Sequence, residues 1–310
     1  MKLKEFKLLF SEGLSDTYPK TEIESFFFIL IEEKLELKRI DTVLNPDFLI
    51  DAAIVDILKI ILKRLQKEEP IQYILGKTEF YGLPFLVDKN TLIPRPETEG
   101  LVEWVLNKIQ KIQGGNQNSP STAQKTPLAI LDIGTGTGCI PISLAKNTTN
   151  TAITAIDIST AALRIAKKNA VLNDVAVNFI TLDILKTLQL PQKYDLIVSN
   201  PPYIRELEKL EIRANVLENE PHLALFVPDN TPLLFYDKIA DLAKQQLNED
   251  GMLFFEINQY LGKETLKMLE KKGFQNIQLK KDLFGNDRML LCQLPQQTLE
   301  TIKKKTSSLK

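Results

Sequence analysis

The chain has 310 residues, of which 25% are charged and 44% hydrophobic, and its formal net charge is −1 at pH 7. This length can hold two domains, and the charge balance gives no general electrostatic signature of nucleic-acid binding. No apolar run reaches the 18 residues of a membrane span, and the amino terminus carries Lys2 and Lys4 instead of the apolar segment of a signal peptide. We therefore expect a cytoplasmic protein.

Residues 1–70 are predicted to form a small helical bundle. The clearest apolar stripe repeats at spacings of three and four and comprises Ile54, Ile57, Leu58, Ile61, Leu62 and Leu65. Lys59, Lys63 and Lys67 lie on the opposite face, and residues 26–30 form a second segment too apolar to be exposed on all sides. The bundle is either a structural cap or a platform that recognises a macromolecular substrate.

Residues 71–90 are predicted to be a linker with a β-hairpin, since two β-prone runs are joined through Gly82-Leu83-Pro84. A rigid turn over residues 94–99 follows, and then an amphipathic helix whose Trp104 is expected in the core. Residues 113–126 are rich in Gly, Asn, Ser and Gln, which predicts a flexible surface loop.

Residues 91–300 are predicted to form an α/β domain, because strands and helices alternate from Leu128 onward. The predicted strands are Leu128 to Leu131, Ala152 to Ile156, Val177 to Thr181, Leu196 to Ser199, Met252 to Ile257, Ile277 to Lys281 and Met289 to Leu294. The last two are too close for a crossover helix and should form an antiparallel hairpin. Residues 301–310 are expected to be a frayed, solvated tail.

The stretch Asn200-Pro201-Pro202-Tyr203 directly follows an apolar strand and suits the capture of a planar –NH2 group. The Asn200 side-chain carbonyl and the Pro201 main-chain carbonyl can each accept one hydrogen, while Tyr203 supplies a ring for stacking. Two acceptors and a flat wall select nitrogen over oxygen, which indicates an amino-group methyltransferase. Taken alone, the stretch is also consistent with a plain strand-ending turn.

A methyl-donor site is indicated by Asp132-Ile133-Gly134-Thr135-Gly136-Thr137-Gly138, which lies between a strand and a helix. Glycines allow the backbone to approach a cofactor closely and leave amide donors at the start of the helix. The G-x-G-x-G spacing differs from the dinucleotide fingerprint, so a pyrophosphate site is disfavoured. Asp157 ends the next strand, where a carboxylate can bind both ribose hydroxyls.

The remaining reactive side chains indicate neither a metal site nor a histidine relay. Cys139 and Cys292 show no CxxC spacing and lie in apolar segments, so we expect free thiols. His222 is the only histidine, and we expect it to be a loop side chain. No metal is therefore expected to take part.

Across nearly its whole length the chain resembles the protein-(glutamine-N5) methyltransferases that modify peptide-chain release factors. The matching segments are Gln72 to Gly76, Phe80 to Gly82, Pro94 to Glu99, Asp132 to Gly138, Asp157, Asn200 to Tyr203 and Asp282 to Arg288. The resemblance implies an α/β class I S-adenosylmethionine-dependent methyltransferase fold, with a seven-stranded, mostly parallel sheet behind an N-terminal helical bundle and a β-hairpin linker. The implied substrate is the glutamine of the Gly-Gly-Gln loop of class I release factors.

The resemblance also implies the roles of individual residues. Asn200, Pro201 and Tyr203 would be catalytic, and Pro202 would complete the glutamine site. The cofactor site would comprise Gly134, Thr135, Gly136, Thr137, Gly138, Asp157, Asp183, Ile184 and Asn200. Two positions depart from the family pattern: Asn258 stands where glycine is frequent, and Ile184 stands where an aromatic residue often flanks adenine.

Three alternatives remain open from the sequence. Related enzymes methylate a glutamine of a ribosomal protein, but their branch usually has Ser-Pro-Ile after the arginine corresponding to Arg95. A nucleic-acid amino methyltransferase would use the same tetrapeptide for an extruded base, yet the chain lacks the expected basic charge. A non-catalytic binding module is the third alternative, and the intact glycine and Asn200 motifs argue against it.

Overall fold

The computed structural model describes residues 1–114 and 126–295, and these fall into two compact units. The first unit comprises Met1–Gly76 and Arg213–Asn219, and the second comprises Lys77–Ile212 and the described residues from Glu220 onward. The domain limits inferred from the sequence (1–70, 71–90, 91–300 and 301–310) stay predictions, and the predicted tail lies outside the described residues. No described helix is both long and apolar enough to span a bilayer.

The first unit is helical, as predicted. Its helices are α1 (Leu3–Leu14), α2 (Lys20–Leu35), α3 (Arg39–Leu44), α4 (Ala52–Leu65) and α5 (Ile71–Leu75), and α9 (Ala214–Asn219) joins them from later in the chain. Arg213 donates to Glu22 (3.2 Å) and Asn219 donates to the main-chain oxygen of Glu68 (3.4 Å) within this unit. A short segment distant in sequence therefore contributes to the helical unit, which a reading of residues 1–70 alone could not include.

The apolar stripe of α4 is shifted by part of a turn from the predicted one. Leu58, Ile61, Leu62 and Leu65 are buried as expected, and Lys59, Lys63 and Lys67 are exposed. Ile57, however, is 46% exposed, and Val55 is buried at 6% exposure. The prediction for Ile57 was wrong because β-branched residues occur on both sides of this helix, so spacing alone does not identify the packed face.

The predicted hairpin is present at the start of the second unit and consists of β1 (Lys77–Phe80) and β2 (Leu83–Leu86), paired antiparallel. Its turn is Tyr81-Gly82, and both residues have positive φ, 53° and 69°. The prediction of a turn through Gly82-Leu83-Pro84 was therefore wrong at its end. A two-residue turn with positive φ at both positions matches the twist of the strands, so β2 already begins at Leu83.

Helix α6 (Pro96–Gly114) buries the apolar face that the sequence predicted, and Trp104 packs edge-on against Phe254 with ring centroids 5.8 Å apart. The helix continues through Gln113 and Gly114, so the predicted loop over 113–126 was wrong at its start. Residues 115–125 of that loop lie outside the described residues.

The second unit contains the predicted seven-stranded sheet. Its strands are β3 (Leu128–Ile133), β4 (Thr151–Asp157), β5 (Asn178–Thr181), β6 (Tyr194–Ser199), β9 (Leu247–Glu256), β10 (Gln275–Lys281) and β11 (Asp287–Gln293). Between them lie α7 (Cys139–Asn147), α8 (Thr160–Leu172), α10 (Leu234–Gln246), α11 (Gly262–Lys271), the short pair β7 (Ile204–Arg205) and β8 (Phe226–Val227), and 3-10 turns at Glu206–Glu211 and His222–Ala224.

The strand order is β10-β11-β9-β6-β3-β4-β5, and only β11 runs antiparallel to its neighbours. The predicted hairpin of the last two strands is confirmed. Buried apolar clusters cover both faces of the sheet, as a parallel sheet requires. Strand order reverses beside β3, whose neighbours are β4 and β6, so ligands are expected at the carboxyl ends of these strands.

Candidate active site

A cavity of about 230 Å³ lies at the carboxyl ends of β3, β4 and β6, in the second unit. Gly134 and Gly136 line it after β3, Asp157 at the end of β4, and Asn200 after β6. The Ser199 hydroxyl donates to the main-chain oxygen of Ile133 (2.7 Å) and joins the ends of β6 and β3. The parallel sheet thus brings together motifs that are more than sixty residues apart in sequence.

The glycine turn borders the cavity with backbone atoms only. Gly136 has φ of +54°, a conformation that side chains rarely adopt, and no atom outside its chain neighbours lies within 4 Å of the place of a Cβ. Gly138, by contrast, packs inward, since a Cβ there would lie 2.9 Å from Ile142 and 3.2 Å from the Ala166 Cβ. One glycine therefore leaves room in the cavity, and the other lets the turn pack on α7 and α8.

The amides of this turn are bonded within the protein. Gly134 and Thr135 donate to the main-chain oxygen of Ile156 (2.9 and 3.1 Å), and Gly136 donates to the Asp157 carboxylate (2.8 Å). The turn is thereby fixed before any ligand binds. Of the predicted cofactor residues, Thr135, Thr137 and Gly138 are not among those that line the cavity, and their direct contact with the cofactor stays a prediction.

Two backbone amides hold the Asp157 carboxylate at the carboxyl end of β4. One carboxylate oxygen accepts from the Gly136 amide and the other from the Ser159 amide, each at 2.8 Å. Burial raises the pKa of Asp157, and these hydrogen bonds oppose the shift. Because each carboxylate oxygen has a further lone pair, the group can also accept from ligand hydroxyls.

Asp183 and Ile184 line another wall of the same cavity, after β5. Asp183 is held by the Leu185 amide (3.0 Å) and by Lys186 (3.2 Å), while Ile184 is buried at 8% exposure. An apolar side chain beside a carboxylate suits a flat heterocycle with polar edges. Ile184 supplies apolar surface to this wall, and its contact with adenine stays a prediction.

The Asp132 carboxyl and the Thr135 hydroxyl are buried beside the glycine turn, and a hydrogen bond from Thr135 opposes the effect of burial on the pKa of Asp132. Burial raises the pKa of Asp132 to about 7. The open space at Gly136, the Asp157 carboxylate and the Ile184 wall together fit an amino-acid and nucleoside cofactor such as S-adenosylmethionine.

The predicted acceptor residues separate into two groups. Asn200, Pro201 and Pro202 line the cavity, and a Cβ on Gly134 would lie 3.9 Å from the main-chain oxygen of Asn200. Tyr203 is not among the lining residues. Its hydroxyl instead donates to the carboxylate of Glu256 (3.1 Å). Stacking of Tyr203 on the acceptor group stays a prediction, and the tyrosine has a structural partner that the sequence analysis missed.

Glu256 links Tyr203 to a second residue that was missed. The Thr98 hydroxyl donates to Glu256 (2.6 Å) and accepts from the Asn200 side-chain amide (3.3 Å). Burial raises the pKa of Glu256, opposed by hydrogen bonds from Thr98 and Tyr203 and by the charge of Arg288. Glu256 ends the apolar strand β9 just as Asp157 ends β4, and that pattern could have revealed it.

The segment Pro94 to Glu99, called here the Pro94 box, is held at its start by a buried carboxylate. Arg95 forms an ion pair with Glu220, and the same carboxylate accepts from the Ile93 amide (3.1 Å). Asn258, which departs from the family pattern, donates to the main-chain oxygen of Tyr203 (2.9 Å) and to Glu208 (3.0 Å). The asparagine therefore supports the end of the tetrapeptide turn in a way that glycine could not.

Both cysteines are free, as predicted. Burial raises the pKa of Cys139 to about 12 and that of Cys292 further, so both thiols stay protonated at neutral pH. His222 packs its ring against Phe226 in a 3-10 turn. No group of three or more His, Cys, Asp or Glu side chains suited to a metal occurs in residues 1–114 and 126–295, and independence from metals stays a prediction.

The fold and the cavity define the class of protein. A seven-stranded sheet of this order, with a glycine turn after its central strand and an acidic residue after the next strand, belongs to the class I S-adenosylmethionine-dependent methyltransferases. Two sequence families match the chain: "Methyltransferase small domain" over residues 120–223 and "PrmC N-terminal domain" over residues 15–76.

Relatives identify the family within this class. The chain is 54% identical to a release factor glutamine methyltransferase of Flavobacterium psychrophilum over 290 residues, which are 94% of this chain and 98% of the relative. It is 41% identical to a protein of the same name from Bacteroides thetaiotaomicron, over 90% of this chain and 95% of the relative. The chain belongs to the release factor glutamine methyltransferase family. Among solved structures, the hMettl16 catalytic domain in complex with an RNA hairpin shares the fold, with a TM-score of 0.52, 16% identity, and coverage of 77% of this chain and 84% of that one.

Proposed function

We propose that this enzyme methylates the side-chain amide nitrogen of the glutamine in the Gly-Gly-Gln loop of class I peptide-chain release factors. The observation that carries the proposal is the position of Asn200, which lines the same cavity as Gly134, Gly136 and Asp157. A side chain suited to binding an amide and a carboxylate suited to binding a nucleoside thus lie at one edge of the sheet. Full-length relatives named release factor glutamine methyltransferase support the choice of substrate.

Asn200 and Pro201 would act by orienting the glutamine amide. The side-chain oxygen of Asn200 and the main-chain oxygen of Pro201 each accept one of its two hydrogens, which fixes the plane of the –NH2 group. An amide nitrogen is a poor nucleophile because its lone pair is delocalised, so alignment accounts for much of the rate. Both oxygens also stabilise the positive charge that develops on the nitrogen.

S-adenosylmethionine, when bound, supplies an electrophilic methyl group on a sulfonium. Gly134, Gly136, Asp157, Asp183 and Ile184 would hold it. After methylation the glutamine nitrogen carries an extra proton and is strongly acidic, so water can take that proton. No histidine, thiolate or strong base of the protein is needed.

The partner would be a release factor and not a nucleic acid or a ribosomal protein. The Pro94 box has Pro-Glu-Thr-Glu after Arg95, the pattern of the release-factor branch, and the net charge is only −1. Release factors act in translation, which also supports a cytoplasmic location. The helical first unit would serve to recognise the folded factor beyond its glutamine loop.

The test is transfer of a labelled methyl group from S-adenosylmethionine to purified class I release factor. Mass spectrometry of the digested factor should place the added methyl on the glutamine of the Gly-Gly-Gln loop. A factor with that glutamine replaced by glutamate is the matched control and should accept none. Transfer to a ribosomal protein or to RNA, with the release factor left unmodified, would contradict the proposal.

A further inference from the structure

Thr98 lies in the Pro94 box, a motif whose chemical role neither the cofactor site nor the tetrapeptide explains. Its side chain is 2% exposed and lies between a cavity residue and a buried carboxylate. The hydroxyl is 2.6 Å from Glu256 Oε2 and 3.3 Å from Asn200 Nδ2. Threonine therefore connects the acceptor site to the end of β9.

The direction of these hydrogen bonds follows from the number of available protons. Tyr203 donates to one oxygen of Glu256 and Thr98 donates to the other, so both oxygens of Glu256 accept. Burial raises the pKa of Glu256, and the positive charge of Arg288 opposes that shift. A threonine hydroxyl has one hydrogen. Once it is directed at Glu256, the Thr98 oxygen can only accept.

The orientation of Asn200 then has a single satisfied solution. Its –NH2 group must face Thr98, and its carbonyl oxygen must take the other direction. The reverse rotamer would direct a carbonyl oxygen at an oxygen with no hydrogen to offer, and would present –NH2 to the –NH2 of the substrate.

We propose that Thr98 is a positioning residue that, held by Glu256, sets the amide orientation of Asn200 so that its carbonyl oxygen receives the substrate nitrogen. This rests on the proposed function and adds a role for a residue that does not touch substrate. It also assigns Tyr203 a role in holding Glu256. Thr98 belongs to α6, Glu256 to β9 and Asn200 to the turn after β6, so the orientation of the Asn200 amide depends on the tertiary fold.

The test uses full-length Thr98→Val and Thr98→Ser proteins with release factor as substrate. Valine keeps the shape without the hydroxyl, so kcat should fall on the order of 10-fold, the equivalent of one hydrogen bond. KM and cofactor affinity should change less than about 3-fold, because binding surfaces are unchanged. Serine restores the hydroxyl and should recover most of kcat. Thr98→Ala gives the same loss if valine is not accommodated.

Two controls separate orientation from general destabilisation. Thr265→Val removes another fully buried threonine hydroxyl, one that α11 carries and that donates to the main-chain oxygen of Leu261 (2.8 Å), and kcat should stay at the wild-type value. In an Asn200→Ala background, Thr98→Val should cause no further loss of kcat, since Thr98 acts through Asn200.

Wild-type kcat in Thr98→Val, failure of serine to restore it, or an equal loss in the Asn200→Ala background would each overturn the inference while the wild-type enzyme remains active. A wild-type protein that transfers no methyl group to release factor would overturn the proposed function, and this inference with it.

Discussion

The two turns that border the cavity are built in different ways. The glycine turn after β3 is held by its own neighbourhood: its amides bond to Ile156 and Asp157 on the adjacent strand. The turn after β6 depends on side chains from elsewhere, since Asn200 bonds to Thr98, 102 residues away. The first turn provides space for a ligand, and the second holds the Asn200 side chain in one orientation. Changes in the first should alter cofactor binding, and changes in the second should alter the rate.

The largest effect is expected for Asn200→Ala, which removes the directional group itself. By analogy with loss of one preorganised polar partner at a reacting centre, kcat should fall on the order of 10²–10³-fold. Cofactor affinity, measured by calorimetry, should remain within several-fold of wild type. An unchanged kcat would show that the second turn is structural only.

Asp157→Ala should produce the opposite pattern. Loss of a carboxylate that braces Gly136 and accepts ligand hydroxyls costs about 1–3 kcal/mol, equivalent to roughly 5–150-fold weaker cofactor binding. Titration calorimetry with S-adenosylmethionine measures this directly. Wild-type affinity would remove Asp157 from the cofactor site.

The roles of two glycines in the turn can be separated by adding one methyl group to each in turn. Gly138→Ala should lower the melting temperature most, because its Cβ would lie 2.9 Å from Ile142 in a conformation with φ of +82°. Gly136→Ala carries only the backbone strain, about 1–2 kcal/mol, and should instead weaken cofactor binding. Thermal unfolding and calorimetry on both variants check the division. Equal effects on both measurements would show that the two glycines do not differ.

Asp132 predicts a pH dependence of stability in the cofactor-free protein. Burial raises its pKa in the folded state to about 7, above the ordinary value of 3.8. Between these values the folded state retains a proton that the unfolded state has lost, so this group's contribution to stability falls as pH rises from about 4 to about 7. Over that pH range, urea unfolding should show that the free energy of unfolding falls more steeply with rising pH for wild type than for Asp132→Asn. Parallel curves of this free energy against pH would contradict the prediction.

The smallest effect is expected from removal of metal ions. Neither turn as described uses a metal ligand, so dialysis against a chelator should leave both cofactor affinity and kcat unchanged within error. Loss of activity that added metal restores would show that the account of the site lacks a component.

The comparison also explains what could be predicted from the sequence. The glycine turn, Asp157 and Asn200 each end an apolar strand, and parallel strands bring their carboxyl ends to one edge, so local patterns sufficed. The support of Asn200 could not be predicted in this way. Thr98 lies in a helix and Glu256 ends a strand, and only the sheet order places them beside the same turn. The position of Tyr203 depends on that network as well.

The first unit shows the same limit. Its helices follow from apolar periodicity, but the participation of Arg213–Asn219 depends on contacts that span most of the chain. The role of Asn258 could likewise not be predicted, because its hydrogen bonds to Tyr203 and Glu208 depend on the fold. Local signals predict elements and motifs, while the partners of polar side chains require the fold.

The different roles of the two turns are tested most directly by measuring single-turnover methyl transfer to release factor in Asp157→Ala and Asn200→Ala side by side. The measurements cover a wide range of S-adenosylmethionine concentrations. The account predicts that Asp157→Ala approaches the wild-type rate once the cofactor is saturating, whereas Asn200→Ala remains on the order of 10²–10³-fold slower at every concentration. Recovery of Asn200→Ala at high cofactor, or a persistently slow Asp157→Ala, would contradict it.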